Sequence, residues 1–302
     1  MGSSIRSDSP ELTEICEYAL GSGGKKIRPA MCILAFRACG GEDSKQAVEV
    51  GAALEMIHSA TLIHDDINDE GDLRRGAKVA YKRYSISRSI IAGDFLFAAG
   101  FNLIGGASRE IIKCIFEAAS AMGAGEFDQK GFEHDPRVTE SSYLRIIEEK
   151  TARLIECAAR SGAFLARADA SAADALGSFA HDIGMAFQIV DDTLDVVGEE
   201  GATGKRIGSD IMEGKPTLPI IYAMQDPSLG GRIRELFESP RLDWAEAEEA
   251  ISLIKSTDAI QRCLSKARGM AEGAIGLLDA LEESEYKGAL RDLARYIVDR
   301  DR

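Results

Sequence analysis

Apolar residues recur every three to four positions through most of this chain, the spacing that gives a helix one buried stripe. A long run, at 44–68, carries Leu54, Ile57, Thr61 and Asp65 along one face. Ser9 and Pro10 open an earlier helix through Leu20, and the glycines of GSGG stop it. Further helices are predicted at 28–39, 85–103, 110–132, 141–168 and 171–197, and Pro216 and Pro219 open another. The tail from Trp244 to Arg302 is polar, Ala-rich and amphipathic. Alternating β-branched runs bounded by turns are absent, so the chain reads as all-α. No linker or shift in composition divides it, and residues 1–302 read as a single domain.

Against this background one stretch stands out, LIHDDINDEGDLRRG at 62–76. Asp65 and Asp69 are four apart and share a helix face, where two like charges repel unless a cation lies between them. A hard divalent ion, Mg²⁺ in particular, takes one or two carboxylates and shares its other positions with phosphates. The pattern recurs as Asp191, Asp192 and Asp195 in FQIVDDTLDVVGEEGATGKRIGSD, again after an apolar run and again trailed by basic residues. One such motif is weak evidence. Two, each with cations behind it, point to a diphosphate held by metal ions.

A net charge of −14 excludes nucleic acid as the expected partner and makes the local basic clusters more telling. The six cysteines lack metal-ligand spacing and read as buried thiols in a reducing compartment. No apolar signal region opens the chain and no apolar run reaches the length of a membrane span, so the expected location is the cytoplasm.

Several smaller groups admit two readings on residues alone. Gly23-Gly24-Lys25-Lys26-Ile27-Arg28-Pro29 is either an anion-binding turn or a solvated helix start. His58, two turns before Asp65, is either a core histidine or a group on the active face, and His64 could support Asp65 from behind. Lys150 is either a solvated face residue or a ligand, and Gln188 either a core amide or a group aimed into a cavity. The stretch between Val197 and Pro216, with five glycines plus Lys205, Arg206 and Lys215, reads as a lid able to close over an anion. It is no Walker loop, because GATGKR lacks the first glycine and the Ser/Thr after lysine.

Taken together, GGKKIRP, EMIHSATLIHDDINDEGDLRRG, AGDFL, EKTARL, FQIVDDTLD and GKRIGSDIMEGKPTLP resemble the trans-isoprenyl diphosphate synthases of the polyprenyl synthetase family, in order and spacing over almost the whole chain. The stretch GAKVAYKRY after DLRRG departs from the family pattern. The resemblance implies long antiparallel helices around a central cavity, usually in a homodimer. It implies head-to-tail addition of isopentenyl diphosphate to dimethylallyl, geranyl or farnesyl diphosphate.

Residue by residue, the resemblance implies that Asp65, Asp69 and Asp191 ligate Mg²⁺, three ions per site, with Mn²⁺ able to substitute. Asp66, Asp192 and Asp195 are then neighbouring or water-mediated acids. Arg74, Lys150, Lys205 and Lys215 would hold the allylic diphosphate; Lys25, Arg28, His58 and Arg75 would hold isopentenyl diphosphate. Thr151 and Gln188 would face the reacting carbons.

Product length follows from the wall behind Asp65. Family members that stop at farnesyl length place bulky aromatics four or five positions before the first aspartate. Here these are Thr61 and Ala60, both small, with Ile57 and Leu54 deeper and Phe95, Phe97 or Phe101 as a floor. Geranylgeranyl diphosphate is the expected product, with longer polyprenyl chains second and farnesyl third. A class I terpene cyclase ranks lower, because cyclases replace the second aspartate motif and lack a second diphosphate pocket. A non-catalytic subunit of a heteromeric synthase also ranks lower, since both motifs are whole.

Overall fold

The computed structural model describes residues 5–21, 23–198 and 207–299. The chain is all-α, as its periodicity predicts. Helices α1 (Pro10–Gly21), α2 (Ile27–Ala38) and α3 (Lys45–Asn68) lead to a two-stranded hairpin of β1 (Leu73–Arg74) and β2 (Ala77–Lys78). Next come α4 (Ala80–Arg83), α5 (Ile86–Leu103), α6 (Arg109–Gly131) and α7 (Glu140–Ile147). A π-helical turn at Glu148–Ala152 separates α7 from α8 (Arg153–Leu165), and α9 (Ala170–Val197) follows. The remainder comprises α10 (Ser209–Met212), α11 (Leu218–Ala223), α12 (Gly230–Phe237), α13 (Trp244–Lys255), α14 (Ala259–Leu277) and α15 (Glu285–Asp299).

Local chemistry sets these boundaries. Pro10 begins α1, and Gly40 and Gly41 end α2 by donating back to the Arg37 and Phe36 carbonyls, with Gly40 at φ +82°. Helix α7 starts at Thr139, whose hydroxyl accepts from the Ser142 amide at 3.2 Å. Asp243 and Glu246 form a capping box at α13. The expected helix 141–168 is broken by the π turn, which changes no residue type and leaves no mark on periodicity. The hairpin was not foreseen either: each strand has two residues, too short to alternate.

Two compact units are distinguished by their internal contacts. The first comprises residues 1–119, 157–177 and 280–290; the second comprises 120–156, 178–279 and 291–302. In the first, α3 packs along α5. Gly100 makes the close approach possible, since a Cβ there would lie 3.0 Å from Ile57. Met56, Ala60, Ile63, Ala92 and Leu96 form the shared core with Ile15 of α1. In the second, Tyr143, Ile147, Ala152, Ala186, Ile189 and Val190 pack with α11 to α14. Burial pushes the Cys32 and Cys263 thiols up to about 12, consistent with inert thiols. Cys39 and Cys114 keep partial exposure, against the expectation of full burial.

Candidate active site

Both aspartate motifs occupy the last turns of long helices, α3 and α9. There the backbone dipole is already negative, so each carboxylate is disfavoured by about 0.3–1 kcal/mol until a cation arrives. Helix α3 stops in the middle of its motif's flank. Asp69 is the C-cap, Glu70 takes φ +51°, and Glu70 and Gly71 donate to the Ile67 and Asp66 carbonyls.

The two motifs share one internal logic. The middle acid of each is buried, Asp66 and Asp192 both 8 % exposed, while Asp65, Asp69, Asp191 and Asp195 keep accessible surface. Asp66 is gripped by Arg74, whose Nε and Nη2 each lie 2.7 Å from Oδ1. Asp192 accepts from the Tyr143 hydroxyl at 2.6 Å and from Gln188 Nε2 at 2.8 Å. Burial, then the nearby Asp210 carboxylate, raises the Asp192 pKa to about 7. Asp195 accepts from Ser209 Oγ at 2.9 Å and the Asp210 amide at 3.1 Å, fixing α10 to α9.

Within the first unit the structure gathers a cationic pocket. The loop joining β1 to β2 is the dipeptide Arg75-Gly76, with φ of +52° and +77°. Two-residue hairpins need this left-handed pair, usually Asn-Gly; a bulky arginine adopts it only under strain. In this conformation Arg75 donates to the Gly23 carbonyl, and its guanidinium lies where a Cβ on Gly24 would be. Lys26, at φ +48°, pairs with Glu55 at 3.0 Å. His58 sits among these groups and is held well below its usual range, first by burial and then by Arg28, Arg74, Arg75 and Lys26. A neutral imidazole ringed by cations is a site prepared for an anion. Arg28 is buried at 9 % exposure, whereas Lys25 is exposed.

Within the second unit, the π turn carries Lys150 and Thr151. Thr151 Oγ1 donates to Gln188 Oε1 at 2.8 Å, extending a string through Gln188 to Asp192 and Tyr143. Lys150 is engaged by Gln129 at 2.9 Å and by Glu126, so its expected diphosphate contact requires release from those partners. Lys215 pairs with Glu213. Lys205 and Arg206 lie outside the described residues, with the rest of 199–206. The end of that stretch forms α10 rather than open loop.

His64 does not back Asp65. Its ring lies over Gly93 of α5, with Nε2 3.3 Å from the Ile90 carbonyl. Leu54, Ile57 and Ala60 have no exposed surface, and Thr61 is the partly exposed member of the expected wall. Phe97 and Phe101 stack at 6.3 Å. Sequence reasoning passed over Tyr143, Glu55 and Gln129, which carry no motif and acquire partners only through folding.

Among the described residues no three His, Cys, Asp or Glu side chains converge to hold an ion alone. The donors nevertheless fit Mg²⁺, which forms no closed protein cage and keeps positions for phosphate and water. Asp65, Asp69 and Asp191 keep the accessible surface that such an ion needs, whereas Asp66 and Asp192 are buried.

Residues 9–254 match the family described as Polyprenyl synthetase. The chain belongs to that family. It is 38 % identical to the all-trans-nonaprenyl-diphosphate synthase (geranyl-diphosphate specific) of Rhodobacter capsulatus, covering 95 % of this chain and 88 % of that one. It is also 38 % identical to heptaprenyl diphosphate synthase component 2 of Geobacillus stearothermophilus, covering 98 % and 92 %. The crystal structure of a polyprenyl synthase from Caulobacter crescentus complexed with calcium and isoprenyl diphosphate superposes with a TM-score of 0.95 at 32 % identity, over 100 % of this chain and 92 % of that one. The fold is therefore that of the polyprenyl synthases, and the protein is a prenyltransferase of this family.

Proposed function

We propose that this prenyltransferase condenses isopentenyl diphosphate head-to-tail with an allylic diphosphate and extends the product into the heptaprenyl-to-nonaprenyl range. The observation carrying this reading is the near full-length similarity to relatives named for heptaprenyl and nonaprenyl products. It displaces geranylgeranyl diphosphate as the expected main product. Leu54 and Ile57, the bulk invoked for an earlier stop, lack exposed surface with which to block a growing chain.

Isopentenyl diphosphate binds the cationic pocket of Lys25, Arg28, Arg75 and neutral His58. Its double bond is thereby held for attack, and entropy is spent at binding rather than in the reaction. The allylic diphosphate meets Arg74, oriented by Asp66, together with Lys150, Lys205 and Lys215. Asp65 and Asp69 of the first motif and Asp191 of the second would ligate Mg²⁺, which when bound would supply positive charge to a leaving diphosphate. Thr151 and Gln188 present oxygens to the allylic carbon as it becomes cationic. The new C–C bond forms at that carbon, and the released diphosphate takes the proton that leaves the adduct. A single catalytic domain, residues 1–302, performs all steps.

We place the enzyme in the cytoplasm, since no described helix is long and apolar enough to cross a membrane. A homodimer accounts for Ile86, Ile90 and Ile91, exposed along one side of α5. A two-component enzyme is the second reading, favoured by the name of the heptaprenyl relative.

The test is to incubate the chain by itself with Mg²⁺ and isopentenyl diphosphate, with and without farnesyl diphosphate. Elongated product from the pair only is expected, and excess chelator abolishes it. A hydrocarbon formed from the allylic substrate alone would indicate a cyclase. Product only after a second chain is added would indicate a heteromeric subunit.

A further inference from the structure

Tyr143, packed beside the second motif, carries a chemistry that its packing role does not require. It is 2 % exposed in an apolar cluster with Ile147, Ile189 and Val190. A phenylalanine would fill the same volume without burying a hydroxyl, and burying a polar group costs stability unless a partner is found. The partner is itself a buried carboxylate, Asp192, reached at 2.6 Å. Replacing such a buried polar pair by apolar groups is often neutral or stabilising, so stability alone does not call for it. Orientation does.

With Asp192 ionised, the string Tyr143, Asp192, Gln188, Thr151 has one consistent assignment of donors. The tyrosine hydroxyl takes Asp192 Oδ2 and the Gln188 amide nitrogen takes Oδ1, so the carboxylate can turn neither way. The amide nitrogen being committed there, the carbonyl end of Gln188 faces Thr151, whose hydroxyl donates to it at 2.8 Å. One lone pair of that carbonyl and those of the threonine oxygen remain for a developing cation.

We propose that Tyr143 is a positioning residue for the transfer step, fixing the Gln188 amide and the Thr151 hydroxyl through Asp192. This rests on the reading that Gln188 and Thr151 face the reacting carbons. Loss of the Tyr143 hydroxyl leaves isopentenyl diphosphate binding intact, because the pocket around His58 contains no member of the string. It loosens the oxygens that steer the allylic carbon toward the isopentenyl double bond. Water then competes: its oxygen bonds to the allylic carbon as the C–O bond to diphosphate breaks, and its proton passes to solvent, giving a prenyl alcohol.

The experiment measures, for Tyr143→Phe, kcat, both KM values and the ratio of prenyl alcohol to elongated product. That ratio is independent of how many molecules are folded. The expected result is a kcat about tenfold lower with KM values within about twofold, of the size of one lost hydrogen bond to a charged group. The alcohol ratio should rise several-fold, Gln188→Ala should raise it likewise, and the double variant should add nothing. Tyr143→Leu, which also removes the hydroxyl, provides the same readout if the phenylalanine variant folds poorly. An unchanged ratio, or additive effects of Tyr143→Phe and Gln188→Ala, overturns the proposal. Failure of the wild-type chain to elongate at all would instead overturn the functional reading beneath it.

Discussion

Arg75 reaches back along the chain to donate to the carbonyl of Gly23, joining the hairpin tip to the glycine turn that opens α2. Its neighbour Arg74, the last residue of β1, grips Asp66. The hairpin therefore commits adjacent arginines to different groups, and the strained backbone at Arg75 is the cost of that division.

Arg75→Gly should relieve the left-handed strain of about 1–2 kcal/mol and so leave Tm little changed, despite the lost contact. The KM for isopentenyl diphosphate should nevertheless rise at least tenfold, as expected for about 1.5–3 kcal/mol of charge-assisted binding. Gly24→Ala should do both kinds of damage, since φ is +109° and the new methyl would collide with the Arg75 guanidinium. Steady-state kinetics beside thermal melts check the pair. An unchanged isopentenyl KM in Arg75→Gly would refute the pocket.

Removing Arg74 leaves the Asp66 carboxylate buried without its partner. Arg74→Ala should cost about 2–3 kcal/mol in a urea melt, below the about 3–5 kcal/mol of a fully buried pair because Arg74 keeps 22 % exposure. Arg74→Ala with Asp66→Asn should recover part of this loss. If the double variant is no more stable than the single one, Asp66 does not carry the charge assigned to it.

His58 gives a pH dependence of definite sign. Its folded pKa lies below the ordinary 6.5, so below that pH the unfolded chain binds a proton that the folded chain refuses. Stability contributed by neutral His58 is complete above pH 6.5 and is lost as pH falls toward the folded pKa. Imidazole resonances followed by NMR should show His58 titrating later than His181, whose pKa is raised, first by the hydrogen bond with Asp182. Bound diphosphate, by neutralising the surrounding cations, should move His58 upward. Titration of His58 at or above 6.5 in the free protein would contradict the pocket's electrostatics.

The helices were legible because their ends carry chemistry that acts within a few residues, as at Pro10 and Gly40-Gly41. The aspartate motifs were legible because like charges at helical spacing ask for a cation. Tyr143 and Glu55 were not, since an isolated tyrosine or glutamate gains meaning only from a partner brought near by folding. The π turn at Glu148–Ala152 was hidden for a different reason: it inserts no unusual residue, only a different hydrogen-bond register. Spacing also placed Leu54, Ile57, Ala60 and Thr61 on one face without saying how deeply α5 would cover the first three.

That difference in cover makes Ala60 and Thr61 separable. Ala60→Phe must displace Ala92 or Leu96 from a filled core and should cost about 1–3 kcal/mol, with shorter products as a secondary effect. Thr61→Phe starts from a partly exposed position and should shorten the products at little cost in Tm. Melts and product chromatography distinguish them. Equal products from Thr61→Phe and wild type would remove Thr61 from the wall.

Transfer of isopentenyl units to a long product is read directly from the products of one incubation. The purified chain is given farnesyl diphosphate, excess isopentenyl diphosphate and Mg²⁺, and the dephosphorylated products are resolved by reversed-phase chromatography with mass detection. A distribution peaking between heptaprenol and nonaprenol is expected. A single peak at geranylgeraniol, or farnesol alone with isopentenyl diphosphate unconsumed, would contradict it.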